Sequence, residues 1–320
     1  MDHTFINQIE PGQQINDVYL VKDPILRSTS RGDLYIAMFL SDKTGQLNGR
    51  MWQASEVIYK ALPKPGFIHL KGRSELYQNN LQIVVNEVSV IDPGKVNIDD
   101  FLAHTEKDVD QMFAEIREIV GRIKNSQLKA LAEGFLADEE VMAKFRKAPG
   151  GIKLHHNCIG GLLEHTHNML RTALAILPLY PKVQADLVLT GVFLHDIGKT
   201  DELEYDMAFS YTDTGQLIGH VVRSYLMIHQ KADALRAAGK KIDQEVLDSL
   251  GHIILSHHGQ YEFGSPKLPA TPEAFMVCLI DDLDAKVDQV TSAIDEDLGE
   301  GNWTAWRNAL QTRLYRKRLK

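Results

Sequence analysis

The chain has 320 residues, 44% of them hydrophobic and 24% charged, and a formal net charge of -8. This is the composition of an ordinary globular protein of about two domains, and its acidity argues against a protein that coats nucleic acid through a generally basic surface. No apolar run approaches the roughly 20 residues that span a bilayer, and the first residues, MDHTFINQIEPGQQ, lack the basic-then-apolar order of a secretory signal.

A cytoplasmic location is therefore expected, with no membrane partner. The two cysteines, Cys158 and Cys278, lie far apart without CxxC spacing. Neither a disulfide framework nor a thiolate zinc site is expected.

From Gln13 to about Asp92 apolar and polar residues alternate in short runs: NDVYLVKDP, DLYIAMFLSDKTGQLNGRMW and GFIHLKGRSELYQNNLQIVVNEVSVI. Gly, Pro and Asn punctuate them at KTGQ, KPG and QNN, where tight reversals need their backbone angles. About five strands, with the helical-looking ASEVIYKAL between the third and fourth, is the layout of an OB-fold barrel. Such barrels hold single strands by stacking bases on aromatic rings over a basic groove. Arg50, Trp52, Lys71, Arg73 and Tyr77 are the candidate contacts, with Tyr35 and Phe39 also available. Several of these aromatics are expected to serve as barrel core instead.

The stretch DPGKVNIDDFLAHT carries turn signals, so the chain is divided into a barrel at 1–92, a linker at 93–105 and a helical domain at 106–320. Beyond the linker the apolar period is that of helices throughout. The C-terminal WRNALQTRLYRKRLK is strongly basic and reads as a solvated helix end or, alternatively, a phosphate-contacting tail.

The helical region contains His165, the adjacent His195 and Asp196, His220, the adjacent His257 and His258, and Asp281. These side chains ligate hard or borderline divalent ions, and without nearby cysteine they suit Mn, Fe, Co, Ni or Zn. The HD pair sits inside the apolar run TGVFLHDIGKT, where coordination would offset the cost of burying both groups.

LLEHTHNM, LHDIGK, GHVVRSY, LSHHGQYEFGSP and LIDDLDAK resemble the metal-binding motifs of the HD-domain phosphohydrolase superfamily. An OB-fold ahead of them, with the string from SHHG to GSP, is similar to the YhaM-type 3′-5′ exoribonucleases over nearly the whole chain. The resemblance implies an all-β OB-fold barrel followed by an all-α HD domain. It also implies removal of nucleotides from the 3′ end of single-stranded RNA, and of single-stranded DNA.

By the same resemblance His165, His195, Asp196 and Asp281 match the core metal ligands, and His220, His257 and His258 the extra ligands of a two-metal site. His167 competes with His165 for its position, and Asp282 with Asp281. The expected cofactor is two divalent ions, manganese first, with Co, Fe, Ni, Zn or Mg as other fits. They would activate water and release nucleoside 5′-monophosphates. Lys199 is available to steady the phosphate or to satisfy a helix end; His155 and His156 are available to contact phosphate or sugar or to serve the fold. Homo-oligomerisation is compatible with this reading. The competing readings are an HD hydrolase of small nucleotides or cyclic dinucleotides, and a non-catalytic nucleic-acid-binding regulator.

Overall fold

The computed structural model describes residues 3–78, 80–152, 156–205, 209–295, 297, 299 and 301–317. Contacts divide the chain into two compact units, the first running to His104 and the second beginning at Thr105.

In the first unit, β1 (Gln14–Ser28), β2 (Leu34–Asp42), β3 (Gly45–Trp52), β4 (Gly66–Tyr77) and β5 (Asn80–Val90) form a closed barrel in the order β1-β2-β3-β5-β4. β1 closes it by pairing with β4, and β3 meets β5 in parallel register from Asn48–Gln82 to Arg50–Val84. This five-stranded closure is the OB-fold arrangement. Strand alternation turns Ile36, Met38, Leu40, Leu47, Met51, Leu70 and Ile83 into the barrel core. Helix α1 (Glu56–Ala61) follows β3, and the Ser55 side chain caps it by accepting from Ile58 N.

Two details differ from the sequence reading. β1 continues past the DP dipeptide, because its register shifts between Lys22 and Ile25 and Asp23 adopts φ 45°, a bulge that accommodates Pro24. The stretch read as a linker also packs with the barrel as far as His104. Phe101 is buried against Leu20 and Phe67, with the Phe67 and Phe101 rings 4.9 Å apart.

The second unit is built from α2 (Val109–Gly121), α3 (Ser126–Leu136), α4 (Glu139–Phe145), α5 (Gly161–Ile176), α6 (Ala185–Leu194), α7 (Lys199–Glu202), α8 (Asp213–Ile218), α9 (His220–Ala237), α10 (Gln244–Ser256) and α11 (Pro272–Asp295). Asp108, Asn125 and Asp138 cap α2, α3 and α4 through side-chain oxygens. Helix α6 is buried from Leu187 to Leu194, with α5, α10 and α11 packed around it. A helix apolar on every side belongs in a core, and the end of this one delivers His195 and Asp196 to the interior. None of the described helices is long and apolar enough to cross a membrane.

Not everything after the barrel is helical. β6 (Leu203–Glu204) pairs with β7 (Ser210–Tyr211). The basic segment read as a helix end instead folds back on itself, with antiparallel bridges joining Trp303 to Tyr315 and Arg307 to Thr312. Cross-strand pairing of the Trp303 and Tyr315 rings favours the hairpin over a helix.

Candidate metal centre and nucleic-acid face

The HD pair does not sit within a helix. α6 stops at Leu194, and His195 and Asp196 lie in the turn that leads to α7. Gly198 has ordinary helical angles, so its value is proximity. A Cβ there would fall 2.4 Å from the carbonyl oxygen of His220. The Gly198 N–H also donates to Ser224 Oγ at 2.8 Å, which seats the turn against the start of α9.

Four further helices supply the remaining groups. His165 comes from α5, His220 opens α9, His257 and His258 follow α10, and Asp281 lies in α11. Together they form a continuous series of close approaches. His165 Nε2 is 3.2 Å from Asp281 Oδ1 and 3.3 Å from His195 Nε2. Asp196 Oδ1 lies 3.3 Å from His220 Nε2 and 3.5 Å from His257 Nε2, and His220 Nε2 lies 3.3 Å from His258 Nε2. Ligands about 2.1 Å from a divalent ion stand roughly 3.0–3.4 Å from one another, so this spacing is that of a coordination shell.

The far side of each imidazole is tied down. Nδ1 of His195, His257 and His258 meets the carbonyl oxygens of Val192, Ile254 and Phe263 at 2.8, 2.7 and 2.8 Å. Nδ1 of His165 meets Asp284 at 2.7 Å, and Nδ1 of His220 meets Glu202 at 3.0 Å. A carbonyl or carboxylate only accepts, so each Nδ1 carries a proton and each Nε2 faces the centre.

This arrangement fits divalent metal. Among the described residues, Asp196 Oδ1 and His257 Nε2 are buried without a hydrogen-bond partner, a costly condition that coordination relieves. Lys199 Nζ is 2.6 Å from Asp196 Oδ2 and 2.6 Å from the Gly150 carbonyl oxygen. One oxygen of Asp196 is thus held by lysine while the other faces the histidines.

Electrostatics follow from the burial. Burial alone would raise the Asp196 carboxyl, but the charges of Lys199, His195 and His220 hold it well below the usual range. Burial likewise opposes the charged form of His165, yet Asp281 and Asp284 carry it up to about 9, so its Nε2 holds a proton that a bound divalent ion would displace. His258 is pushed down to about 3 by burial and by its histidine neighbours, which keeps its lone pair free at neutral pH.

Several sequence candidates lie elsewhere. His167 turns away to Glu115 at 2.7 Å, and Asp282 pairs with Lys286 at 2.7 Å. His156, by contrast, borders the cluster: it is buried with Nε2 2.8 Å from Asp284 Oδ2, the oxygen that also meets His165. His155 falls outside the described residues. Sequence reading missed Asp284 and Glu202. The i,i+3 spacing from Asp281 was the available signal for Asp284, since it places both on one helix face.

On the barrel, Tyr35 and Trp52 are register partners with rings 5.0 Å apart, and the Arg50 guanidinium lies 5.8 Å from the Tyr35 ring centre. Arg50 and Arg73 flank Val84 in one cross-strand row. Lys71 is engaged by Glu87 at 2.7 Å, and Tyr77 sits at the end of the β4–β5 hairpin. The structure therefore gathers Tyr35, Arg50, Trp52 and Arg73 on the outer face and leaves Tyr77 apart.

Comparison with known proteins matches the helical unit and, separately, nearly the whole chain. The HD domain family model matches residues 162–286. The chain is 33% identical over 315 residues to the 3′-5′ exoribonuclease YhaM of Bacillus subtilis (strain 168), covering 96% of each chain. It is 31% identical over 309 residues to the 3′-5′ exoribonuclease YhaM of Geobacillus sp. (strain WCH70), covering 96% of this chain and 93% of the relative. Among solved structures, the second OB-fold domain of replication protein A from Methanococcus maripaludis aligns at 20% identity and TM-score 0.24, over 28% of this chain and 96% of that one. With an OB barrel, an HD domain and relatives of this identity matched along almost their whole length, the chain belongs to the YhaM family of 3′-5′ exoribonucleases.

Proposed function

We propose that this protein is a cytoplasmic exonuclease that degrades single-stranded RNA, and single-stranded DNA, from the 3′ end to nucleoside 5′-monophosphates. The observation that carries the reading is the gathering of five Nε2 atoms with Asp196 and Asp281 in one cluster, each imidazole anchored through Nδ1. His165, His195, Asp196, His220, His257, His258 and Asp281 would hold two divalent ions, manganese the best fit. Those ions would screen the phosphodiester's charge and generate a nucleophile at neutral pH.

The chain's own groups do the positioning. Asp284 and Glu202 fix the planes of His165 and His220. Lys199, tied to Asp196 and Gly150, sets the direction of the Asp196 carboxylate, and it can serve a bound phosphate only as a nearby positive charge. The barrel, taken as residues 1–92, holds the strand on Tyr35 and Trp52, with Arg50 and Arg73 available to phosphates.

The test uses a 5′-labelled single strand with Mn, with and without chelator. A ladder shortening one nucleotide at a time, with 5′-monophosphates released and chelator abolishing both, is expected. Hydrolysis confined to free nucleotides or cyclic dinucleotides would move the assignment to the small-molecule hydrolases.

A further inference from the structure

The hairpin at residues 303–317 belongs neither to the metal centre nor to the barrel face. Thr304 N donates to Leu314 O at 2.9 Å and Arg316 N to Asn302 O at 2.8 Å, so it is a built element. Thr304 and Leu314 are buried, while Trp303, Arg313, Tyr315 and Lys317 are exposed. Strand alternation accounts for that division and puts Arg313, Tyr315 and Lys317 on one face, beside the Trp303 that pairs with Tyr315.

The Trp303 and Tyr315 rings stand 5.0 Å apart and are 51% and 49% exposed. Large rings left in water at this density mark a contact surface. Asp297 engages Arg307 at 3.1 Å and Arg316 at 3.2 Å, so the charges of the exposed face are Lys317 and Arg313, whose Nε donates to the Thr304 carbonyl oxygen at 2.9 Å. Residues 303–317 contain four cations and no carboxylate in a chain of net charge -8. Aromatic rings beside cations are the combination on which bases stack while phosphates are paired.

We propose that this hairpin is a second single-strand contact, in which nucleobases stack on Trp303 and Tyr315 and phosphates pair with Arg313 and Lys317. The inference rests on the exonuclease reading above. Arg307 Nη2 donates to the Ala293 carbonyl oxygen at 2.8 Å, fixing the hairpin to the end of α11. Ala293 lies about 18 Å along that helix from Asp281. The hairpin therefore meets nucleotides several positions upstream of the 3′ end, and a dinucleotide in the metal centre does not reach it.

The experiment compares the full chain with Trp303→Leu/Tyr315→Leu and with Arg313→Gln/Lys317→Gln. Binding of a fluorescent 20-nucleotide oligoadenylate RNA is measured by anisotropy in chelator, and dinucleotide hydrolysis in Mn. Loss of both rings should weaken RNA binding roughly 10-fold or more while dinucleotide hydrolysis is unchanged. Loss of both charges should make the log Kd against log salt slope shallower by about 1.4. Photocrosslinking of a 4-thiouridine strand to wild type should label the peptide holding residues 303–317, which covers the case of a misfolded variant.

Wild-type RNA affinity in well-folded variants, with no crosslink to that peptide, overturns the proposal. Unchanged RNA binding with an altered sedimentation coefficient reassigns the face to contact between copies of the chain. Failure of the wild type itself to bind or cleave any strand overturns the exonuclease reading instead.

Discussion

Asp284 Oδ2 lies 2.7 Å from His165 Nδ1, and the same oxygen meets His156 Nε2 at 2.8 Å. One carboxylate thus orients an imidazole whose other nitrogen faces the candidate metal centre. Asp284→Ala should weaken Mn affinity by about 10- to 100-fold, the usual effect of removing such a partner. Titration calorimetry of the full chain reads this directly. Unaltered affinity in a folded variant would show that packing alone holds the His165 ring.

Asp196 and Lys199 form a buried pair at 2.6 Å. Removing one partner leaves the other charge uncompensated, at a cost of about 3–5 kcal/mol, whereas replacing both by apolar groups costs far less. Asp196→Ala in chelator should therefore be the less stable protein, and Asp196→Ala/Lys199→Met should recover much of the loss without regaining hydrolysis. Denaturant titrations of the two variants decide it. A double variant no more stable than the single would mean Lys199 is not stranded by loss of Asp196.

The aromatic pair on the barrel should matter for strands and not for chemistry at the metal centre. Tyr35→Ala/Trp52→Ala should reduce affinity for a long single strand by about 1–3 kcal/mol per base stacked. Dinucleotide turnover should remain. The ratio of kcat/KM for a long strand to that for a dinucleotide is the relevant measurement, and an unchanged ratio would exclude this face from substrate binding.

A pH effect is expected from the first unit. Burial disfavours a charged His3, but Asp17 and Asp42, each 3.4 Å away, carry it from 6.5 to about 9. The two carboxyls are correspondingly lowered from 3.8, against the effect of their own burial. A raised histidine contributes stability that is whole below pH 6.5 and lost as pH climbs through about 9. The lowered carboxylates contribute above pH 3.8 and lose it in acid. Urea denaturation should show the barrel weakening from pH 6 to pH 9, and His3→Gln should flatten that trend. Parallel slopes for wild type and variant would refute the coupling.

Much of this architecture was readable in the sequence, for identifiable reasons. The barrel announced itself because one face of each strand is core and the other solvent, so apolar residues recur at every second position. Its β1 was read too short because proline ordinarily ends a strand, and only the bulge at Asp23 lets Pro24 remain in one. The gathered histidines were legible by type, since so many metal-ligating side chains seldom fall together otherwise. Asp284 and Glu202 were not, because an acidic residue on a helix looks the same whether it faces water or an imidazole. The C-terminal hairpin was hidden for a related reason. Asp297 holds its Arg307 and Arg316, a contact that local propensity does not encode.

The closing of β3 onto β5 also bears on how the protein is made. Until β5 exists, the sheet β3-β2-β1-β4 ends in two strands whose outer N–H and C=O groups have no partner. Synthesis proceeds from the N-terminus, so a ribosome that has not yet released residues 80–90 carries a nascent chain with both edges open to any neighbouring strand. Emergence of that one segment seals both edges at once, and a pause in translation just before it would prolong their exposure.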